Sequence, residues 1–223
     1  MLSHLFRLTG LLYSALLVLA LAPASALAAP VAAKTLNIGV ARSLPLGSTV
    51  TLKGTVTVPS GVFASGTFDQ GFAIQDQTGG IYVSVAVDLG LQLRDQVEVT
   101  GQLADSAGLL ILQANAADVK RKGNGHPIAT TTVATGALSE ATEGQLVAIT
   151  GVLTAPVGDD LPYGYRLFVN DGSGAAQVFV YASTGIDLSG LLVGQTVRVI
   201  GFSAQFDDHY ELNPRLPGDI SVN

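Results

Sequence analysis

Val50, Leu52, Val56 and Val58 alternate with Thr51, Lys53, Thr55 and Thr57. A period of two is the mark of a strand with one face in a core. Similar patterning predicts strands at Phe72–Asp76, Ile81–Val87, Val97–Leu103 and Leu109–Ala114, with Ala117–Lys120 closing the set. A second set follows at Leu146–Leu153, Tyr165–Asn170, Gln177–Tyr181, Thr196–Phe202 and Tyr210–Asn213. The turns QTGG and DGSG join the second and third strands of each set, and a Gly-rich turn of that length is a hairpin signal. No stretch keeps a helical period; Asp88–Asp95 offers one or two turns at most. Residues 30–46 read as a lead-in with an edge segment.

The two sets are copies of one another. GSTVTLKGTVTVP at 47–59 answers GQLVAITGVLTAP at 144–156, FAIQDQTGGIYVSV at 72–85 answers LFVNDGSGAAQVFV at 167–180, and RDQVEVTG at 94–101 answers GQTVRVIG at 194–201. Partners stand about 97 residues apart, too far for a solenoid repeat and about the size of a small domain. Five strands with a short crossover between the third and fourth is the order of an oligonucleotide/oligosaccharide-binding (OB) barrel. A five-stranded sandwich is the competitor. The glycines that recur at Gly54 and Gly151, and at Gly101 and Gly201, favour a barrel, whose corners need bends in the strands. The fold expected is therefore all-β: two tandem five-stranded OB-fold barrels after a signal peptide. The divisions are a signal peptide at 1–28, a first module at 34–122, a link at 123–136 and a second module at 137–223.

The leader reading rests on Arg7, the apolar run Leu11–Leu21 and the small-residue stretch ASALAA, with cleavage after Ala28. It implies a secreted or periplasmic protein with no membrane span in the mature chain. The chain has no cysteine, which excludes disulfides and thiolate chemistry. Charge divides unevenly. Lys34–Lys122 carries seven Lys/Arg and seven Asp/Glu, whereas Gly123–Asn223 carries three Arg against ten Asp/Glu.

The string GFAIQDQTGGIYVSV, followed by DQVEVTGQL, resembles the OB-fold modules attached to secreted bacterial nucleases and phosphoesterases. EGQLVAITGVLTAP resembles the start of the next module in such arrays. The likeness covers most of residues 36–222 and implies nucleic acid as a ligand class.

No catalytic constellation accompanies it. His4, His126 and His209 are scattered, and no HExxH or GxSxG occurs. Asp159–Asp160 and Asp207–Asp208 fall in expected loops without the alternating spacing of a calcium loop. Asp76 and Asp171 precede Gly-rich turns and read as turn-stabilising. No enzyme activity, metal or cofactor is expected.

OB barrels bind on the outer face of strands 2 and 3. With Leu167, Val169, Val178 and Val180 inward, like Phe72, Ile74, Val83 and Val85, the outward residues of the second module are Arg166, Phe168, Phe179 and Tyr181. Tyr163 and Tyr165 adjoin them. The first module offers Ala73, Gln75, Tyr82 and Ser84, with Lys53 on strand 1. Lys120, Arg121 and Lys122 form the only basic cluster, at the junction. The aromatic face suits packing against the other module, stacking of single-stranded nucleic acid, or a sugar or other neutral ligand. The acidic second half weakens the case for phosphates. The function expected is a secreted, non-catalytic binding protein, led by single-stranded DNA or RNA through the resemblance. Its alternatives are a structural module that docks a secreted protein at the envelope, or a binder of sugar or small ligands.

Overall fold

Alternating Val, Ile and Leu residues, cut by Gly-rich turns, fold into two closed barrels. The computed structural model describes residues 35–223; the signal peptide expected at 1–28 lies outside the described residues. The first half runs β1 (Thr35–Leu36), α1 (Ile38–Ala41), β2 (Thr49–Val58), β3 (Phe72–Gln75), β4 (Gly80–Ser84), β5 (Asp95–Ser106), β6 (Leu109–Gln113) and β7 (Val119–Asn124). The second runs β8 (Thr131–Thr132), β9 (Leu146–Leu153), β10 (Gly158–Asp160), β11 (Gly164–Asn170), β12 (Ala175–Tyr181), β13 (Thr196–Phe206), β14 (His209–Asn213) and β15 (Ile220–Val222). No described helix is long and apolar enough to cross a membrane.

In the first half the strands lie in the order β2-β3-β4-β6-β5, and β5 returns to pair with β2. In the second the order is β11-β12-β14-β13-β9, closed by β9 against β11. The third and fifth strands of each barrel run parallel. This is the OB barrel, made twice. Closure brings strands close at Gly151, where a Cβ would lie 2.7 Å from the backbone carbon of Asn170. Its counterpart, Gly54, would meet Ile74 Cβ at 3.0 Å. The recurrent strand-1 glycine is thus a close approach between strands.

The repeat reaches into the lead-ins. β1 lies parallel to β2, and β8 lies parallel to β9. So Thr131–Thr132, inside the stretch read as a link, joins the second sheet. The paired aspartates tie these lead-ins down. Asp76 accepts the Ile38 amide at 2.8 Å, and Asp171 accepts the Thr135 amide at 3.1 Å. Both also cap their own Gly-rich turns.

Each barrel has its own core. Phe72, Ile74, Val83 and Val85 are buried in one, and Leu167, Val169, Val178 and Val180 in the other, as period two requires. A third cluster joins them. Val58, Phe63, Ala73, Tyr82, Leu109 and Ile111 of the first barrel pack with Phe202 and Ala204 of the second. The outer β3–β4–β6 face of barrel one therefore meets the outer β13 face of barrel two. Phe63 stacks on Tyr181 with ring centroids 5.0 Å apart. Such a pair contributes about 0.5–1.5 kcal/mol beyond its area.

A clasp of backbone and ions fixes the junction. Gly80 and Gly144 approach so closely that a Cβ on either would overlap the other's carbonyl oxygen. Beside them Arg42 donates to Glu143 at 2.9 Å, to Glu140 at 2.8 Å and to the Gly80 carbonyl at 3.3 Å. The Leu146 amide donates to Gln75 Oε1 at 2.9 Å. On the other flank Arg215 pairs with Asp219 and donates to the Thr57 carbonyl at 2.7 Å.

This docking corrects the expected outward positions of the first module. Ala73, Gln75, Tyr82 and Ser84 are all buried, because β3 and β4 are covered on both faces. Other differences are local. Asp88–Asp95 is irregular up to a turn at Leu93–Arg94, with Asp95 opening β5 and no helix, and the four-residue α1 lies in the lead-in instead. Asp160, expected in a loop, ends β10, which pairs with β11 as a hairpin.

Candidate functional site

The outer face of the second barrel can be read strand by strand. Ladder partners place Arg166 beside Phe179, Gln177 beside Glu211, and Glu211 beside Ala204. At the β13 end this face is covered by the first barrel. From β14 to β11 it borders a cleft of about 740 Å³ between the barrels. That volume falls within the usual range for small-ligand sites, roughly 300–1,000 Å³.

Period two explains the lining. Phe179 and Tyr181 point out because Val178 and Val180 point in. Their rings meet edge to face at 4.9 Å. Tyr181 also donates to the Ala64 carbonyl at 3.2 Å, so its hydroxyl is tied to the first barrel. Burial, with the Glu211 and Asp69 charges nearby, pushes its phenol above the ordinary tyrosine range.

The floor is polar. Gln177 Nε2 lies 3.0 Å from Glu211 Oε2 and 2.9 Å from His209 Nε2, and Asn213 Nδ2 donates to Glu211 Oε1 at 2.9 Å. The Glu211 side chain is 6% exposed. Burial raises its carboxyl above the usual carboxylate range, only partly opposed by the Asn213 and Gln177 amides.

On the first-barrel side, Asp69 holds the loop that forms the opposite wall. It accepts the Tyr82 hydroxyl at 2.6 Å, the Ser65 hydroxyl at 2.7 Å and the Gly71 amide at 3.2 Å. Burial alone would raise its carboxyl, but the hydrogen bonds from Ser84, Tyr82 and Ser65 outweigh it and hold it low. Next to Asp69, Phe68 stands 75% exposed, facing Tyr163 across the cleft mouth.

The sequence-derived candidates therefore separate. Arg166, Phe179 and Tyr181 line the cleft, and Tyr82 sits buried at its base. Phe168 lies on the same sheet face but outside the cleft lining. Lys53, Lys120, Arg121 and Lys122 occupy β2 and β7, away from the cleft. Glu98 pairs with both Lys53 and Lys122 at 3.1 Å, and Asp95 pairs with Arg121 at 2.7 Å. Arg166 is paired as well, with Asp160 at 3.6 Å. Gln177, His209 and Glu211 were missed. The period-two rule, extended from Leu212 to the fifth strand, would have found Glu211 as an outward acid. Nothing in the sequence marks Phe68.

No family model matches this chain. No curated protein matches it. Among solved structures, a murine DNA-binding protein bound with double-stranded DNA shares 12% identity over 73% of this chain and 90% of its own, at a TM-score of 0.41. An OBody bound to hen egg-white lysozyme shares 17% identity over 44% of this chain and 98% of its own, at 0.36. The hypothetical protein ygiW from E. coli shares 20% identity over 40% of this chain and 88% of its own, at 0.29. None of these three likenesses reaches a TM-score of 0.5, and the site's chemistry rests on its own residues.

Proposed function

We propose that the chain is an exported, non-catalytic binding protein that takes a ring-bearing ligand into the cleft between its barrels. The observation that carries this is the unequal use of two equivalent faces. The first barrel's outer face is spent on docking, with Ala73 and Tyr82 buried. The second barrel's face keeps Phe179 and a polar floor bordering an open cleft, with Tyr181 stacked on Phe63 where the barrels meet. Aromatic walls stack on flat rings, and amides and carboxylates fix their orientation. The N-terminal layout supports export.

Single-stranded nucleic acid is a second reading. Arg166 at the rim favours it, since a guanidinium pairs with phosphate and the aromatic walls stack on bases. Fluorescence anisotropy with labelled oligothymidylate and a labelled neutral oligosaccharide at low salt tests both. Binding of either probe that is lost in Phe179→Ala supports the cleft. Binding that Phe179→Ala leaves unchanged moves the site elsewhere.

A further inference from the structure

We propose that the cleft binds a neutral saccharide, one ring of which is gripped between Phe68 of the first barrel and Tyr163 of the second. This rests on the cleft being the ligand site and names the ligand class.

The grip is made by equivalent loops. Phe68 lies in the connection from β2 to β3, and Tyr163 lies in the connection from β9 to β11. These loops flank the binding face of an OB barrel. The two rings form a tilted pair, with centroids 6.3 Å apart and planes inclined by 40°. A ring at van der Waals contact on both sides needs about twice 3.5 Å. A small outward movement of either loop therefore admits one ring. Both aromatics are exposed, at 75% and 57%, where burial gives them no reason to be. Phe68 also has φ of 57°, a backbone region that a residue this bulky seldom adopts. The Asp69 network beside it over-determines that turn. Strain held this way around an exposed aromatic points to a presented contact.

Charge chooses the class. Asp69, Asp160 and Glu211 line the cleft, against Arg166 alone among its fixed cations. Arg166 is already paired with Asp160. A polyphosphate chain would meet net negative charge, while a neutral polyol meets none that repels it. The floor suits hydroxyls. Each Glu211 oxygen accepts one amide N–H and keeps a lone pair for a ligand hydroxyl.

Calorimetry on the full mature chain decides it, with cellohexaose, maltohexaose, chitohexaose and hexathymidylate as probes. At least one hexasaccharide is expected to bind, with affinity unchanged between about 50 and 500 mM salt. Phe68→Ala and Tyr163→Ala should each weaken that binding about tenfold, while Phe68→Trp and Tyr163→Phe restore it. Circular dichroism confirms that each variant is folded. Hexasaccharide binding that ignores both alanine variants overturns the grip. Binding of hexathymidylate alone, lost in Phe179→Ala, overturns the saccharide class and leaves the cleft reading standing. No binding of any probe at about 5 mM overturns both.

Discussion

Glu211 shows how one residue links the site to stability. Its carboxyl is buried among amides, and burial holds its pKa above the value it has in an unfolded chain. A raised acid binds its proton more tightly when folded. Its contribution to stability is present below the unfolded pKa and is lost as pH rises through the folded one. Glu211→Gln keeps the polar shape and removes that titration. The variant should be at least as stable as the parent at pH 7, by up to about 1 kcal/mol, and should lose part of the decline in stability above the carboxylate range. Urea denaturation at several pH values checks this. Asp171 behaves in the opposite sense. Hydrogen bonds from Ser173 and Thr135 hold its carboxyl well below the usual range. Its contribution is therefore present above the unfolded pKa and lost as pH falls through the folded one. Asp171→Asn should lower the melting temperature at neutral pH and leave it nearly unchanged in strong acid.

At the scale of elements, the strands were legible because inward Val, Ile and Leu residues recur at period two whatever covers the other face. Leu146–Leu153 is found as expected, and the rest differ mainly at their ends. The glycines were legible too, since Gly54 and Gly151 stand where strands close on each other. Gly151→Ala should cost about 1–3 kcal/mol, since the contact is with backbone that cannot rotate away. Chemical denaturation measures that cost. Thr51, Thr55, Thr57, Gln75 and Ser84 read as solvent-facing on β2 to β4, yet they are buried. No local pattern separates a polar residue facing water from one facing a second domain. The same blindness hid half the cleft. Arg166, Phe179 and Tyr181 follow from strand register, whereas Phe68 and Asp69 come from a loop with no period.

At the scale of the molecule, duplication produced two equivalent outer sheet faces, and docking covers that of the first barrel. The clasp should make the barrels unfold together. Arg42 sits beside Glu143, whose side chain is buried and whose Oε2 has no partner. Arg42→Ala strands that carboxylate and should cost about 3–5 kcal/mol, the usual cost of breaking a buried pair from one side. Scanning calorimetry should show one transition for the parent chain and two for Gly144→Val, in which the close approach to Gly80 is blocked. The central claim, that the ligand site is the cleft left between two docked faces, is tested most directly by mapping amide chemical shifts while a bound saccharide or oligothymidylate is titrated. The expected result is a set of shifts confined to Phe68, Tyr163, Phe179, His209 and their neighbours. Shifts centred on Lys53 and Lys120–Lys122, or absent from the cleft at saturation, would contradict it.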